Sequence, residues 1–312
     1  MKGLELAKRY YTEYGEPMLR SDFSDIMDSI AVGLAGEGSE CFGFDDDIST
    51  DHDFEPGFCI FVPDGIDSKT EFRLERAYAK LPKEFMGFRR QGINPVGGNR
   101  HGVIKTGDFF SRFVGVPSGF ENDADRLNVA DFYFATATNG EVWYDGNGEF
   151  SRIRASLAEI PEDIRLKKLA ARLVIMGQAG QYNFARCLSH GERGAAQLAL
   201  AEFVNNAVPA IFLLNGRYAP YYKWMFRGMR QLSRLSELAD SLEFLLTDLN
   251  SPDDAPIKLE VIEDIASAII NELKEQGITE AFCNNLDTHA YSVNDKIKDG
   301  NIRNMNIMYG AC

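Results

Sequence analysis

One run of residues carries most of the chemistry this sequence can do. Gly38-Ser39 is followed, after eleven residues, by Asp51-His52-Asp53, and apolar stretches lie on both sides, Ile30-Ala31-Val32 before and Phe58-Cys59-Ile60-Phe61-Val62 after. Side chains alternate faces along a strand, so Asp51 and Asp53 are expected to point one way and His52 the other. Two neighbouring carboxylates repel each other and stay ionised most readily with a divalent cation between them. Mg²⁺, with Mn²⁺ as its alternative, prefers such oxygens together with the phosphates of a nucleotide. The Gly-Ser turn adds a permissive backbone, amide N–H groups and a hydroxyl able to approach phosphate oxygens closely. The expected chemistry is in-line displacement at phosphorus.

Such a reaction calls for further groups. A third carboxylate is expected from a neighbouring strand, and Asp131, in Val129-Ala-Asp-Phe-Tyr133, is preferred over Asp108, which follows Thr106-Gly107 and reads as a helix N-cap. A triphosphate tail needs positive charge. Lys223, embedded among Tyr221, Tyr222 and Trp224, is the first choice, and Arg89, Arg90 and Arg100 flank a Gly/Pro-rich loop at 91–102. The stretch Gly177 to Arg186 contains two glycines where a helix is expected, and these lower helix propensity. Gln181, Asn183 and Arg186 are candidates to face a cleft there, against the plainer reading of tight helix packing with buried amide bonds. The cluster Tyr218, Tyr221, Tyr222 and Trp224 would stack on a nucleobase or line an acceptor pocket, or simply belong to a core. Asp45-Asp46-Asp47 reads as a solvated acidic loop, and His101, His190 and His289 receive no role.

These motifs resemble the DNA polymerase beta-like nucleotidyltransferase superfamily, whose signature is an apolar residue, Gly-(Gly/Ser), a short spacer and then Asp-apolar-Asp-apolar. More closely, the chain resembles an uncharacterised, predicted-nucleotidyltransferase branch, through Gly36 to Asp46, Asp51 to Asp53 and Tyr218-Ala-Pro-Tyr-Tyr-Lys-Trp224. His52 departs from the superfamily pattern by standing at a normally apolar position. The resemblance implies transfer of a nucleoside monophosphate from a nucleoside triphosphate to a hydroxyl on a small molecule or protein, with release of pyrophosphate. It implies Asp51, Asp53 and Asp131 as metal ligands and catalytic groups, Asp131 alternatively as general base. Gly38, Ser39, Lys223 and Arg186 are expected to bind the nucleotide. The alternative is a non-catalytic nucleotide- or partner-binding module of antitoxin-like or regulatory kind. Such modules tend to lose a carboxylate or the turn, whereas this sequence keeps both.

Composition narrows the setting. With 312 residues, 45% of them apolar, the chain can bury a large core, and its length suggests two domains. The longest apolar patch, Val208 to Leu214, is far short of the roughly 20 residues of a membrane span, and the N-terminus lacks the apolar core of a signal peptide, so a cytoplasmic protein is expected. Five cysteines without a C-x-x-C pair indicate neither a disulfide framework nor a zinc ribbon, and they read as small buried hydrophobes with Cys312 at a tail. A net charge of −14 without a basic stretch argues against nucleic acid as partner. Either a monomer or a homodimer is compatible with the sequence.

The elements that must position these groups give an α+β fold. Residues 1–155 read as a nucleotidyltransferase-type mixed sheet flanked by helices, and 156–312 as a helical bundle closing the active-site cleft. Helices are expected over 2–15 and 21–29, the latter capped by Ser21 or Asp22, then over 69–81 and 108–114. Strands are expected at 31–36, 51–62 (with a kink at Pro56-Gly57) and 103–105. Residues 128–135 and 141–144 are read as a hairpin across Thr138-Asn-Gly140. The helices of the second half are placed at 161–188, 194–215, 221–235, 237–249 and 258–276.

Overall fold

Ile30 to Leu34 and Phe58 to Val62 are unbroken apolar runs, the composition of strands covered on both faces. In a computed structural model of the protein they are the two central strands of a four-stranded sheet. The structure describes residues 1–46, 54–90, 100–248 and 255–311; Asp47, Asp51, His52, Asp53 and most of the Gly/Pro-rich loop lie outside the described residues. We number the strands β1 (Ala31–Leu34), β2 (Cys59–Val62), β3 (Gly102–Lys105) and β4 (Glu141–Asp145), in the order β3-β2-β1-β4. β1 runs antiparallel to β2, with Val32 opposite Ile60, and antiparallel to β4, whereas β2 and β3 are parallel. The sheet is therefore mixed. β1 and β2 are buried throughout, while the edge strands are partly exposed. A β-carbon on Gly33 would collide with the carbonyl of Glu141, and the β1–β4 register shifts at Val32/Gly33, so the glycine admits the bulge.

The chain forms two compact units, one of Met1–Gly119 with Phe134–Glu159, the other of Phe120–Tyr133 with Ile160–Cys312. In the first unit, helix Gly3–Tyr10 passes through a π-helical turn, Tyr11–Gly15, into Glu16–Asp22. Ser21 and Asp22 thus close a helix instead of opening the one expected over 21–29, and the Ser21 hydroxyl donates to the Met18 carbonyl. Tyr10, Phe58, Tyr78 and Phe85 pack ring against ring beneath this helix. Helix Ser68–Lys80 is capped by Asp67, whose carboxylate accepts from the amides of Lys69 and Thr70.

Four further expectations need correction. The second strand starts at Cys59, after Pro56-Gly57, and Gly57 is pressed against the His101 ring instead of kinking a strand. Residues 128–135 are not a strand: a 3₁₀ turn at Asp123–Asn128 leads into helix Asp131–Ala137. Asp131, Phe134, Thr136 and Ala137 are buried, and the spacing by three of Asp131, Phe134 and Ala137 is helical, whereas the run of Phe and Tyr favours a strand. β4 consequently pairs with β1 and not with a preceding hairpin strand. Asp45 is not solvated either. It is buried, accepts the amide of Gly3 at 2.7 Å at the start of the first helix, and lies 3.4 Å from the Lys2 ammonium.

The second unit is helical. Glu162–Met176, a π-helical stretch Gly177–Phe184 and Ala185–Ser189 follow one another without a break, and Arg193–Leu214 packs alongside. A β-carbon on Gly180 would overlap the Phe203 ring, so the glycines serve close helix–helix approach. Tyr222–Met229, Ala239–Thr247, Ala255–Glu275 and Leu286–Asn294 complete a core centred on Leu169, Leu173, Phe203, Val208 and Ile265. Among the described residues only Arg193–Leu214 is long and apolar enough to cross a membrane, and 72% of its most apolar window is buried, as befits a core helix. The protein is thus α+β, a mixed sheet with flanking helices followed by a helical region.

Candidate functional site

In the first unit the site grows from the end of β1. The chain leaves the sheet through Gly36 and Gly38, with φ of +108° and +124°, a region open to glycine but strained for other residues. Asn139 clasps the turn with its whole amide: its oxygen accepts from Gly36 N at 2.8 Å and its nitrogen donates to Gly36 O at 2.7 Å. Ser39 is half-buried and begins a 3₁₀ turn, Glu40–Phe42, its carbonyl accepting from the amides of Phe42 and Phe44. Arg100 closes the other side. Its guanidinium donates to the Glu37 carbonyl at 2.6 Å and forms an ion pair with the buried Glu40 carboxylate. A side chain on Gly38 would run into both charged groups, so the glycine is required for space as well as for φ. The turn therefore brings a hydroxyl and a positioned guanidinium together at a strand end, a set suited to phosphate oxygens.

The other cations and the second carboxylate candidate fall elsewhere in this unit. Arg90 lies over the Tyr78 ring, 4.5 Å from its centroid, and Arg89 is an exposed residue of a two-residue strand. Asp108 is exposed in the first turn of helix Thr106–Val114; the amide of Gly107 is accepted by Asp64 at 2.7 Å, so Asp108 is not the cap. Burial pushes the Cys41 thiol well up and that of Cys59 up to about 12, so both are unreactive core groups. His101, without an expected role, is paired with Glu55 at 3.1 Å.

In the second unit Asp131 opens its helix beneath the surface. One carboxylate oxygen takes Lys168 and the other Arg172, each at 2.9 Å, with all three groups buried. Burial opposes ionisation of Asp131, but the Arg172 and Lys168 charges together hold its carboxyl below the usual carboxylate range. A carboxylate with a cation on each oxygen is a poor metal ligand. Among the described residues no group of three or more His, Cys, Asp or Glu side chains is placed to hold a metal ion. Arg172 also reaches Asn206 Oδ1 at 3.5 Å, and Asn206 is fixed by donating to the Glu202 carbonyl at 2.8 Å.

Asp131, Arg172 and Asn206 line an open cleft of about 350 Å³ together with Phe132, Pro209, Pro220, Tyr221 and Tyr222. Lys223 is exposed in the first turn of the adjoining helix. Arg186 is exposed too, and its guanidinium donates to the Tyr182 hydroxyl at 3.1 Å. Gln181 is engaged structurally: it donates to Glu263 and to the Asn284 carbonyl, and accepts the amide of Leu286 at the start of a helix. Tyr218 is buried, which pushes its phenol up, while Tyr221 and Tyr222 stand exposed at the cleft. The network that joins Asp131 to Lys168 and Arg172 was missed in the sequence because its members stand far apart along the chain.

A family model for a domain of unknown function, DUF4037, matches residues 127–225, a segment containing Asp131, Lys168, Arg172 and the Tyr221-Tyr222 pair. No curated protein matches the chain. Among solved structures it is similar to the crystal structure of a nucleotidyltransferase-like protein from Exiguobacterium sibiricum 255-15, at 13% identity, with 90% of each chain covered and a TM-score of 0.37.

Proposed function

We propose that the protein is a metal-dependent nucleotidyltransferase, moving a nucleoside monophosphate from a nucleoside triphosphate to a hydroxyl of a small molecule or protein and releasing pyrophosphate. The observation that carries this reading is the Gly36–Ser39 turn at the end of β1, with its two positive-φ glycines and the guanidinium of Arg100 beside it. Phosphate needs such close backbone approach and positioned donors. Asp51 and Asp53 follow in the sequence and would hold Mg²⁺ or Mn²⁺, which when bound neutralises phosphate charge. Ser39 and the backbone of Gly38 bind the phosphate tail, Arg100 orients it under the restraint of Glu40, and Lys223 and Arg186 are further cations available to the nucleotide. Asp131 is better explained as the counter-ion of Lys168 and Arg172 than as a third ligand.

The test is a pyrophosphate-release assay and a thermal-shift series with ATP, GTP, CTP and UTP, with and without Mg²⁺. We expect a metal-dependent shift with at least one nucleotide. Asp53→Asn should reduce pyrophosphate release by at least about 100-fold, on the scale of losing a principal electrostatic contact to the reacting phosphates. Unchanged release in Asp53→Asn would sink the mechanism. Nucleotide binding without release across a broad panel of hydroxyl acceptors would favour a non-catalytic nucleotide-binding module.

A further inference from the structure

The cleft of the second unit has two unlike sides. One is aromatic: Phe132 and Tyr221 meet edge to face, with centroids 5.5 Å apart, and Tyr222 adjoins Tyr221 at 4.3 Å. The other is a polar stripe of helix Arg193–Leu214, where Glu202, Asn205 and Asn206 recur at helical spacing. Arg172 also lines the cleft, held by Asp131 at 2.9 Å, while Lys168 fixes the far oxygen of that carboxylate. Arg172 and Asn206 are thus fixed by protein partners, while Glu202 and Asn205 stand exposed at the rim. A wholly apolar ligand would take Glu202 and Asn205 out of water without replacing it, and a wholly polar one would leave the rings uncovered. The ligand that satisfies both sides is flat, with apolar faces and an edge of alternating donors and acceptors. Glu202 would accept from such an edge, Arg172 would donate to it, and the Asn205 amide can do either.

We infer that this cleft binds a nucleobase-like heterocycle, carried by a small molecule such as a nucleoside. Its volume of about 350 Å³ lies at the lower end of small-ligand pockets, room for a nucleoside and little more. The protein's net charge of −14 turns away a polyphosphate strand such as RNA. This inference stands on the second unit alone and does not require nucleotidyl transfer.

The experiment is isothermal titration of the full chain, without metal, with adenosine, guanosine, cytidine, uridine and, as the control lacking a base, ribose. At least one nucleoside should bind saturably and ribose should not. Tyr221→Ala should weaken that binding roughly tenfold or more, the scale of one stacked base, while Tyr222→Phe keeps it. Tyr221 is 41% exposed, so its truncation spares the core, and an unchanged thermal midpoint verifies this. The double variant Asp51→Asn/Asp53→Asn should bind the nucleoside as the wild type does. The inference is overturned if no nucleoside binds, if Tyr221→Ala binds unchanged, or if affinity disappears in the double aspartate variant. The first two results leave nucleotidyl transfer standing, and loss of pyrophosphate release alone leaves the cleft standing.

Discussion

Asp131 shows how much one carboxylate can be asked to do. It is the anion between two buried cations, so its removal leaves Lys168 and Arg172 facing a neutral group in a dry interior. Asp131→Asn should therefore destabilise the protein by about 3–5 kcal/mol at neutral pH, measured by urea unfolding. The pH dependence has a definite sign. The folded carboxyl titrates below the ordinary value near 3.9 of an unfolded aspartate, so its contribution is complete above that pH and is lost as pH falls through the lower, folded value. The gap between wild type and Asp131→Asn should be wide at pH 7 and shrink in acid; a constant gap would contradict this account. The sequence offered Asp131 as a third metal ligand or general base, from its apolar-Asp-apolar setting. It could not reveal the two buried cations beside it, since Lys168 and Arg172 lie far along the chain and look like ordinary surface charge on a long helix. Gly38-Ser39 was legible for the opposite cause: a turn of this kind is local, and its positive φ values follow from residue type.

At the scale of elements, apolar runs without interruption announced β1 and β2, and long periodic stretches announced the helices of the second unit. Local propensity misled at residues 128–135, where aromatic residues favoured a strand but Asp131, Phe134 and Ala137 are buried at helical spacing. Register and partners were invisible as well, because pairing of β4 with β1 joins residues more than a hundred positions apart. The π-helical stretch Gly177–Phe184 offers a test of element packing. Gly180 lies directly against Phe203, so Gly180→Ala should cost about 1–3 kcal/mol by overpacking, despite alanine's better helix propensity. The double variant Gly180→Ala/Phe203→Leu should recover part of that loss in a double-mutant cycle, and a stabilising Gly180→Ala would show the contact is not close.

The whole molecule is divided in space but not cleanly in sequence. The first unit ends at Gly119 and resumes at Phe134, and the intervening segment belongs to the second. A fragment of residues 160–312 would contain most of the helical core yet lack Asp131, the partner of two of its buried cations, and Phe132 from the cleft wall. That fragment should show no cooperative unfolding transition by circular dichroism, whereas the full chain should; a fragment with a sharp transition would mean that Phe120–Tyr133 is dispensable to the second unit. Sequence reading found the change from a sheet-bearing to a helical half, since composition and period change there. The borrowed segment escaped it, because membership of a unit is decided by contacts and not by adjacency.

The same borrowing has a consequence in time. A ribosome makes Phe120–Tyr133 before the strand β4 that the first unit needs, and well before Lys168 and Arg172 that the segment itself needs. Neither unit can be finished as soon as its first residues emerge. At a synthesis rate of about 5–20 residues per second, Asp131 waits some seconds for its cations, a buried charge in prospect that must stay in water meanwhile. Slowing translation between Asp131 and Arg172 should prolong that exposed interval.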